Sequence, residues 1–233
     1  RWMYRKCLAV ALKTADLKIE GKPLSAWTRL KDWVAFQAAF RALRDRLGLS
    51  RARVLYSAGG ALSPEIIRFF LALGIEIKLF YGSTEMGVVS IPRPGEIHPE
   101  TSGKPMPWTD VKISEDGEIQ VKSEFLHAGY YKNPEATAKT IKNGYYQTGD
   151  FGHIDEDGHL IVIDRMEDLK ALKDGKKFSP QYSEVRLRFS PYVKDILVVG
   201  GEREFVTSLI NIDLDRVSFH QFLHLPPFLG MMF

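Results

Sequence analysis

Thr84 and Glu85 stand side by side in the run Tyr81-Gly82-Ser83-Thr84-Glu85, directly after a β-prone stretch. A threonine hydroxyl can donate to a phosphate oxygen, and a glutamate carboxylate is a hard oxygen ligand suited to Mg²⁺. Gly82 beside them would let a ligand approach the backbone closely. The same residues also fit a turn with a helix-capping threonine. A second run, Tyr146-Gln147-Thr148-Gly149-Asp150, lies between two β-prone segments. An aspartate at a strand–loop junction can accept hydrogen bonds from both hydroxyls of a ribose, or it can cap a turn. Asp164-Arg165 closes the next hairpin, where arginine suits a phosphate or ribose oxygen or a solvated surface pair. Gly59-Gly60-Ala61, after an earlier strand, would let a flat ring lie against bare backbone, and taken alone is a tight turn.

Those residues need elements to carry them. Apolar residues recur at helical spacing from Trp2 to Glu20 and from Trp27 to Leu47, which predicts two amphipathic helices joined at Gly21-Lys22-Pro23. The strand Val54-Leu55-Tyr56 is followed by a helix opened by Ser63-Pro64-Glu65 and closed at Gly74, and then by a strand over Ile75–Phe80. Strand, helix and strand at this spacing form a βαβ unit with a parallel sheet, and ligands of such sheets sit at the carboxyl ends of the strands. After Glu85 prolines break the chain. Short strands then follow at Val111–Ser114, Glu118–Ser123, Phe151–Asp155 and Leu160–Asp164, with Asp116-Gly117 and Asp157-Gly158 as turns and one helix near Asn133-Pro134. Beyond a charged stretch, Glu167–Lys177, come a helix around Tyr182–Phe189 and strands at Ile196–Val199 and Phe205–Ile212. The fold class is therefore α/β: part of a βαβ large domain, an appended small antiparallel sheet or barrel, and the start of a small α+β domain. The boundaries fall at 1–87, 88–164 and 165–217. Residues 218–233, apolar and without Lys, Arg, Asp or Glu, read as foreign to the fold, for instance the product of a reading-frame shift.

Composition narrows the function. With 32 Lys+Arg against 29 Asp+Glu, the net charge of +3 gives no concentrated basic face for a nucleic acid. The single cysteine, Cys7, rules out an internal disulfide framework or multi-cysteine zinc site and fits a reducing, cytoplasmic compartment. Apolar runs such as Ile66–Ile75 fall short of the ~20 residues of a membrane span, which leaves peripheral contact with the inner face of a membrane open. His220 and His224, spaced i, i+4, lack a third metal ligand. The chain begins with Arg1, not Met, and reads as an excerpt of a longer polypeptide.

Taken in order, Tyr81-Gly-Ser-Thr-Glu, Gly117-Glu118, Gly129-Tyr130, Tyr146-x-Thr-Gly-Asp150 and Asp164-Arg165 resemble the adenylate-forming enzymes. Within them the chain resembles the long-chain fatty acyl-CoA synthetases, from its N-terminus to about Val217. The resemblance implies that Gly59, Gly60 and Tyr81 line an adenine pocket with Ala61 near the acyl chain. It further implies that Thr84 touches the α-phosphate, that Glu85 holds Mg²⁺, and that Asp150 binds the ribose diol. On the same resemblance Arg165 would reach ribose and phosphate, Glu167 would be the hinge of a C-terminal domain, and Gly175 would sit in a loop that shapes the approach of a thiol. The implied substrates are a fatty acid, ATP and coenzyme A, joined through an acyl-adenylate that forms with loss of pyrophosphate. Members of the family often carry Gly-Arg in place of Asp164-Arg165, and Asp or Lys at the hinge in place of Glu167. The family's phosphate loop would lie upstream of Arg1 and its C-terminal lysine is missing, so these residues alone are expected to make little acyl-adenylate. Two other readings stay open: a non-catalytic module that binds AMP or an acyl-adenylate, and an adenylating relative acting on another carboxylic acid.

Overall fold

The computed structural model describes residues 2–60, 62–214 and 216. Ala61, His220, His224 and the apolar tail therefore lie outside the described residues. The chain forms two compact units, residues 1–167 and 168–233.

The first unit opens with α1 (Trp2–Ile19), which buries Ala11, Thr14 and Ala15. Ser25 then caps α2 (Ala26–Ala35), its hydroxyl accepting from the Thr28 N–H at 3.2 Å. The single helix expected from Trp27 to Leu47 is interrupted. A π-helical turn, Phe36–Phe40, separates α2 from α3 (Arg41–Arg46). The widened turn shifts the buried stripe, so Ala35 and Phe40 enter the core while Trp27, Leu30, Trp33 and Val34 stay exposed. β1 (Val54–Ser57), α4 (Pro64–Ala72) and β2 (Glu76–Leu79) form the βαβ unit, and β1 pairs with β2 in parallel. Ser63 accepts from the Glu65 N–H, Pro64 opens α4, and Gly74, at φ +72, ends it. Asp16 of α1 holds the guanidinium of Arg68. Phe40, Leu71, Leu73 and Ile75 fill the core between these helices and strands.

The parallel pair leads directly into β3 (Tyr81–Ser83), which turns back on β4 (Gly87–Ile91), and β4 pairs with β5 (Lys104–Pro105). The antiparallel sheet follows. β6 (Thr109–Ile113) and β7 (Glu118–Ser123) are joined through Asp116-Gly117 as the sequence predicts. α5 (Pro134–Thr140), capped by Asn133, leads to β8 (Ile141–Lys142), β9 (Tyr145–Ile154) and β10 (Leu160–Arg165). The sheet order is β10-β9-β7-β6, with β8 on β9. Its inner face packs Ile119, Val121, Tyr146 and Leu160 against Tyr81, Met86 and Val89. This second core fastens the β3–β4 bend onto the sheet.

The second unit holds a hairpin of β11 (Lys170–Ala171) and β12 (Lys177–Phe178) inside the stretch read only as charged. α6 (Pro180–Leu187) then packs on β13 (Val193–Val199), which pairs antiparallel with β14 (Thr207–Ile212). The Glu184 carboxylate of α6 accepts from the Val198 N–H at 2.8 Å. Among the described residues no helix is long and apolar enough to cross a membrane.

Candidate functional site

Asp150 lies within a strand and not at a strand–loop junction. Opposite β7 the register jumps, since Gln120 pairs with Gln147 and Glu118 with Phe151. Thr148, Gly149 and Asp150 therefore bulge out of β9. Gly149 takes φ +70, a conformation that favours glycine. The bulge is pinned on both sides. The Thr148 hydroxyl donates to the Ile119 carbonyl at 2.7 Å and accepts from the Asp150 N–H at 3.0 Å, while the Gly149 N–H donates to Glu118 at 2.9 Å. Across the hairpin, Arg165 is the register partner of Asp150, next to a second irregularity between Val162 and Asp164.

Three side chains meet at this bulge. The buried Tyr81 hydroxyl donates to Asp150 Oδ2 at 2.5 Å, and Arg165 pairs with Asp150 Oδ1 at 2.9 Å. Arg165 also donates to the Thr148 carbonyl at 3.0 Å, and its own side chain remains 57% exposed while that of Asp150 is only 14% exposed. Burial raises the Asp150 carboxyl above the usual carboxylate range, although Tyr81 and Arg165 pull it back. Burial, reinforced by the neighbouring Asp150 charge, pushes the Tyr81 phenol up, so it remains a donor.

Glu85 sits at the tip of the β3–β4 bend, beside exposed Thr84. Its Oε2 accepts from the Ser83 hydroxyl at 2.8 Å and its Oε1 from the Tyr130 hydroxyl at 3.2 Å. The Ser83 hydrogen bond, more than any other contact, holds this carboxyl below the usual glutamate range. Tyr130 Oη lies 3.4 Å from Tyr146 Oη, and burial pushes the Tyr146 phenol up. Among the described residues no cluster of three or more His, Cys, Asp or Glu could hold a metal. An ionised Glu85 with a restricted geometry nevertheless suits Mg²⁺, which usually takes one or two protein carboxylates and completes its shell with phosphate oxygens and water.

Gly82 carries a steric demand of its own. A Cβ there would stand 2.2 Å from the Gly87 carbonyl oxygen, because β3 and β4 approach closely at their bulge. Gly82→Ala is expected to destabilise the first unit by about 3 kcal/mol, read as a lower urea midpoint with an unchanged slope.

Gly59 and Gly60 are exposed at the carboxyl end of β1, and a Cβ on either would meet nothing within 4 Å. The adjoining Ser57 carbonyl accepts from the Phe80 N–H at 3.1 Å, which sets this end beside the residue preceding Tyr81. Glu167 is the last residue of the first unit, and Gly175 belongs to the second, in the turn between β11 and β12. Sequence reasoning assigned no role to Ser83, Thr148, Tyr130 or Tyr146, although each lies in or beside a motif it singled out. It passed over His127 entirely, and nothing in the spacing marks that residue.

Comparison with known proteins adds a family to this geometry. The profile of the AMP-binding enzyme family matches residues 17–131. A long-chain-fatty-acid–CoA ligase of Mycobacterium bovis is 33% identical over 186 residues, covering 79% of this chain and 31% of its own length. A putative fatty-acid–CoA ligase of Mycobacterium tuberculosis is 34% identical over 217 residues, covering 91% of this chain and 38% of its own length. The chain thus spans about a third of the length of these relatives. Among solved structures, an anthranilate CoA ligase in complex with anthranoyl-AMP superposes with a TM-score of 0.63 at 25% identity, over 82% of this chain and 40% of that one. The amide bond synthetase McbA of Marinactinospora thermotolerans gives a TM-score of 0.61 at 26% identity, over 75% of this chain and 40% of that one.

Proposed function

The chain belongs to the superfamily of AMP-binding, adenylate-forming enzymes, and from that premise we propose that it carries the adenosine-phosphate half of the active site of an ATP-dependent acid–thiol ligase. The observation that carries this reading is the meeting of Tyr81, Asp150 and Arg165 at the β9 bulge. A buried carboxylate with one oxygen held by a phenol and the other by a guanidinium is oriented to accept from two adjacent hydroxyls, as a ribose diol requires.

In this proposal Asp150 binds the diol and Arg165, largely exposed, swings to ribose and phosphate oxygens. Gly59, Gly60 and Tyr81 flank the adenine, with Ala61 toward the acyl group, and Thr84 donates to the α-phosphate. Glu85 would hold a Mg²⁺ ion, which when bound supplies positive charge to the phosphates. The protein's part in the first step is to bring a carboxylate and a polyphosphate together with donors already in place, since such groups stabilise the transition state without reorganising. Glu167 serves as the hinge, and the turn at Gly175 shapes the approach of the coenzyme A thiol. The acid in this proposal is a long-chain fatty acid: most relatives at 33–34% identity carry fatty-acid or acyl-CoA ligase names, although one at 33% is a probable 4-coumarate–CoA ligase, and the structures with aryl-acid and amide-forming names match at 25–26%.

Nucleotide binding tests the reading directly. AMP at a hundredfold excess over its dissociation constant should raise stability by about 2.7 kcal/mol, seen as a higher melting temperature of the chain. The analogue 2′,3′-dideoxy-AMP should bind at least about tenfold more weakly, because it lacks the hydroxyls assigned to Asp150. No shift with AMP, or an equal shift with both nucleotides, would overturn the proposal. A long-chain acyl sulfamoyladenosine should bind more tightly than its anthraniloyl counterpart; the reverse order would replace the fatty acid by an aryl acid.

A further inference from the structure

His127 reaches Glu85 directly through its main chain and indirectly through its ring. Its main-chain N–H donates to the Glu85 carbonyl at 2.7 Å, which ties the segment before Gly129-Tyr130 to the β3–β4 bend. Its imidazole meets the Tyr130 ring at 4.8 Å between centroids and the Tyr146 ring at 5.8 Å, with interplanar angles of 60° and 88°. These are edge-to-face arrangements, in which the positive rim of one ring faces the negative face of another. Tyr130 in turn donates to Glu85 Oε1, and its hydroxyl lies next to that of Tyr146. A single ring thus touches Tyr130, which borders the carboxylate, and Tyr146, whose hydroxyl adjoins that of Tyr130. The ring has no other polar anchor on its far nitrogen: Nε2 is buried and, among the described residues, has no hydrogen-bond partner. A buried nitrogen left unpaired is unfavourable, so packing on the tyrosines, and not hydrogen bonding by Nε2, is what the imidazole contributes here.

We infer that His127 is a positioning residue for Glu85, acting through the edge-to-face contact of its ring with Tyr130, whose hydroxyl donates to Glu85, to hold the carboxylate in the geometry that receives a divalent cation. The inference rests on the proposed function, since it takes Glu85 as the residue that meets Mg²⁺. It concerns only the orientation of Glu85 and leaves Asp150 and the ribose untouched.

Two substitutions separate the ring from its bulk. His127→Leu keeps volume but removes the aromatic edge; His127→Phe keeps the edge and removes the unpaired nitrogen. Three quantities are measured on the full chain: melting without ligand, affinity for AMP without metal, and the gain in ATP affinity on adding Mg²⁺. His127→Leu should lose about tenfold of the Mg²⁺-dependent gain, with AMP affinity unchanged. His127→Phe should retain that gain and melt higher than the unaltered chain, because its buried ring leaves no polar atom unpaired. Tyr130→Phe should match the loss in His127→Leu, and the double variant should be no worse than either alone, since both act through one hydroxyl.

A His127→Leu chain with an undiminished Mg²⁺ gain overturns the inference, as does a His127→Phe chain that loses the gain. Should His127→Leu fail to fold, the comparison passes to His127→Phe and Tyr130→Phe. An undiminished gain in Tyr130→Phe would then overturn it. Failure of the unaltered chain to bind AMP or ATP overturns the proposed function itself and this inference with it. Nucleotide binding with a Mg²⁺ gain indifferent to the ring at position 127 overturns the inference alone.

Discussion

Asp150→Ala should lower the affinity of the chain for AMP about a hundredfold, the loss of charge-assisted hydrogen bonds to two ribose hydroxyls. Isothermal titration reads this directly. With 2′,3′-dideoxy-AMP the variant and the unaltered chain should converge, because the deleted carboxylate then has nothing to bind. Asp150→Asn, which keeps shape and one acceptor, should lose about tenfold. Stability should move differently. Burial raises the Asp150 carboxyl in the folded chain, so the fold favours its neutral form. The stability that neutral form contributes is complete below the ordinary aspartate value of about 4 and is lost as pH rises through the raised folded value. Asp150→Asn should be at least as stable as the unaltered chain at pH 7 and should lack its decline between the two values. Carboxyl groups perturbed by burial beside a specific charge partner cluster at functional sites. Unchanged AMP affinity in Asp150→Ala would remove the ribose assignment.

The contrast between what the sequence made legible and what it hid follows the range of the interactions. α4 was readable at both ends because its signals are local: Ser63 caps it, Pro64 opens it, and Gly74 ends it with a positive φ. The turns at Asp116-Gly117 and Asp157-Gly158 were readable for the same reason. Gly149 misled, because a glycine between β-prone runs marks a loop and a strand bulge equally well; only the pairing with β7 decides between them. The π-helical turn at Phe36–Phe40 changes the phase of an apolar stripe that was regular in sequence, so the exposed side of α2 could not be read from spacing. β4 was lost among prolines and β11–β12 among lysines, each short and held by pairing more than by its own propensity. The site itself was legible as a set of motifs. Its geometry was not: Tyr81 and Asp150 are 69 positions apart, and nothing local foretells that one phenol ends on the other's carboxylate.

Glu85→Gln carries the other large expected effect. Glutamine keeps the length and an oxygen acceptor for Ser83 or Tyr130, but it has no charge for a divalent cation. The Mg²⁺-dependent gain in ATP affinity should disappear, and acyl-adenylate formation should fall about 100- to 1000-fold in any chain that carries these residues and forms the adenylate. AMP affinity without metal should stay as it was, since Asp150 and Tyr81 are intact. The fold should notice little. In the folded chain the Glu85 carboxyl is held low, first by the Ser83 hydroxyl and then by main-chain and Tyr130 hydrogen bonds. A lowered carboxyl contributes stability above the ordinary glutamate value of about 4.3 and loses it as pH falls through the folded value. Because the side chain is only partly buried, water screens that contribution and keeps it small. The melting temperatures of Glu85→Gln and the unaltered chain should therefore lie close at pH 7 and converge in acid. Equal losses of melting temperature and metal response would make Glu85 a structural residue of the β3–β4 bend. Loss of metal response alone would place the cation at the carboxylate that Ser83 and Tyr130 border.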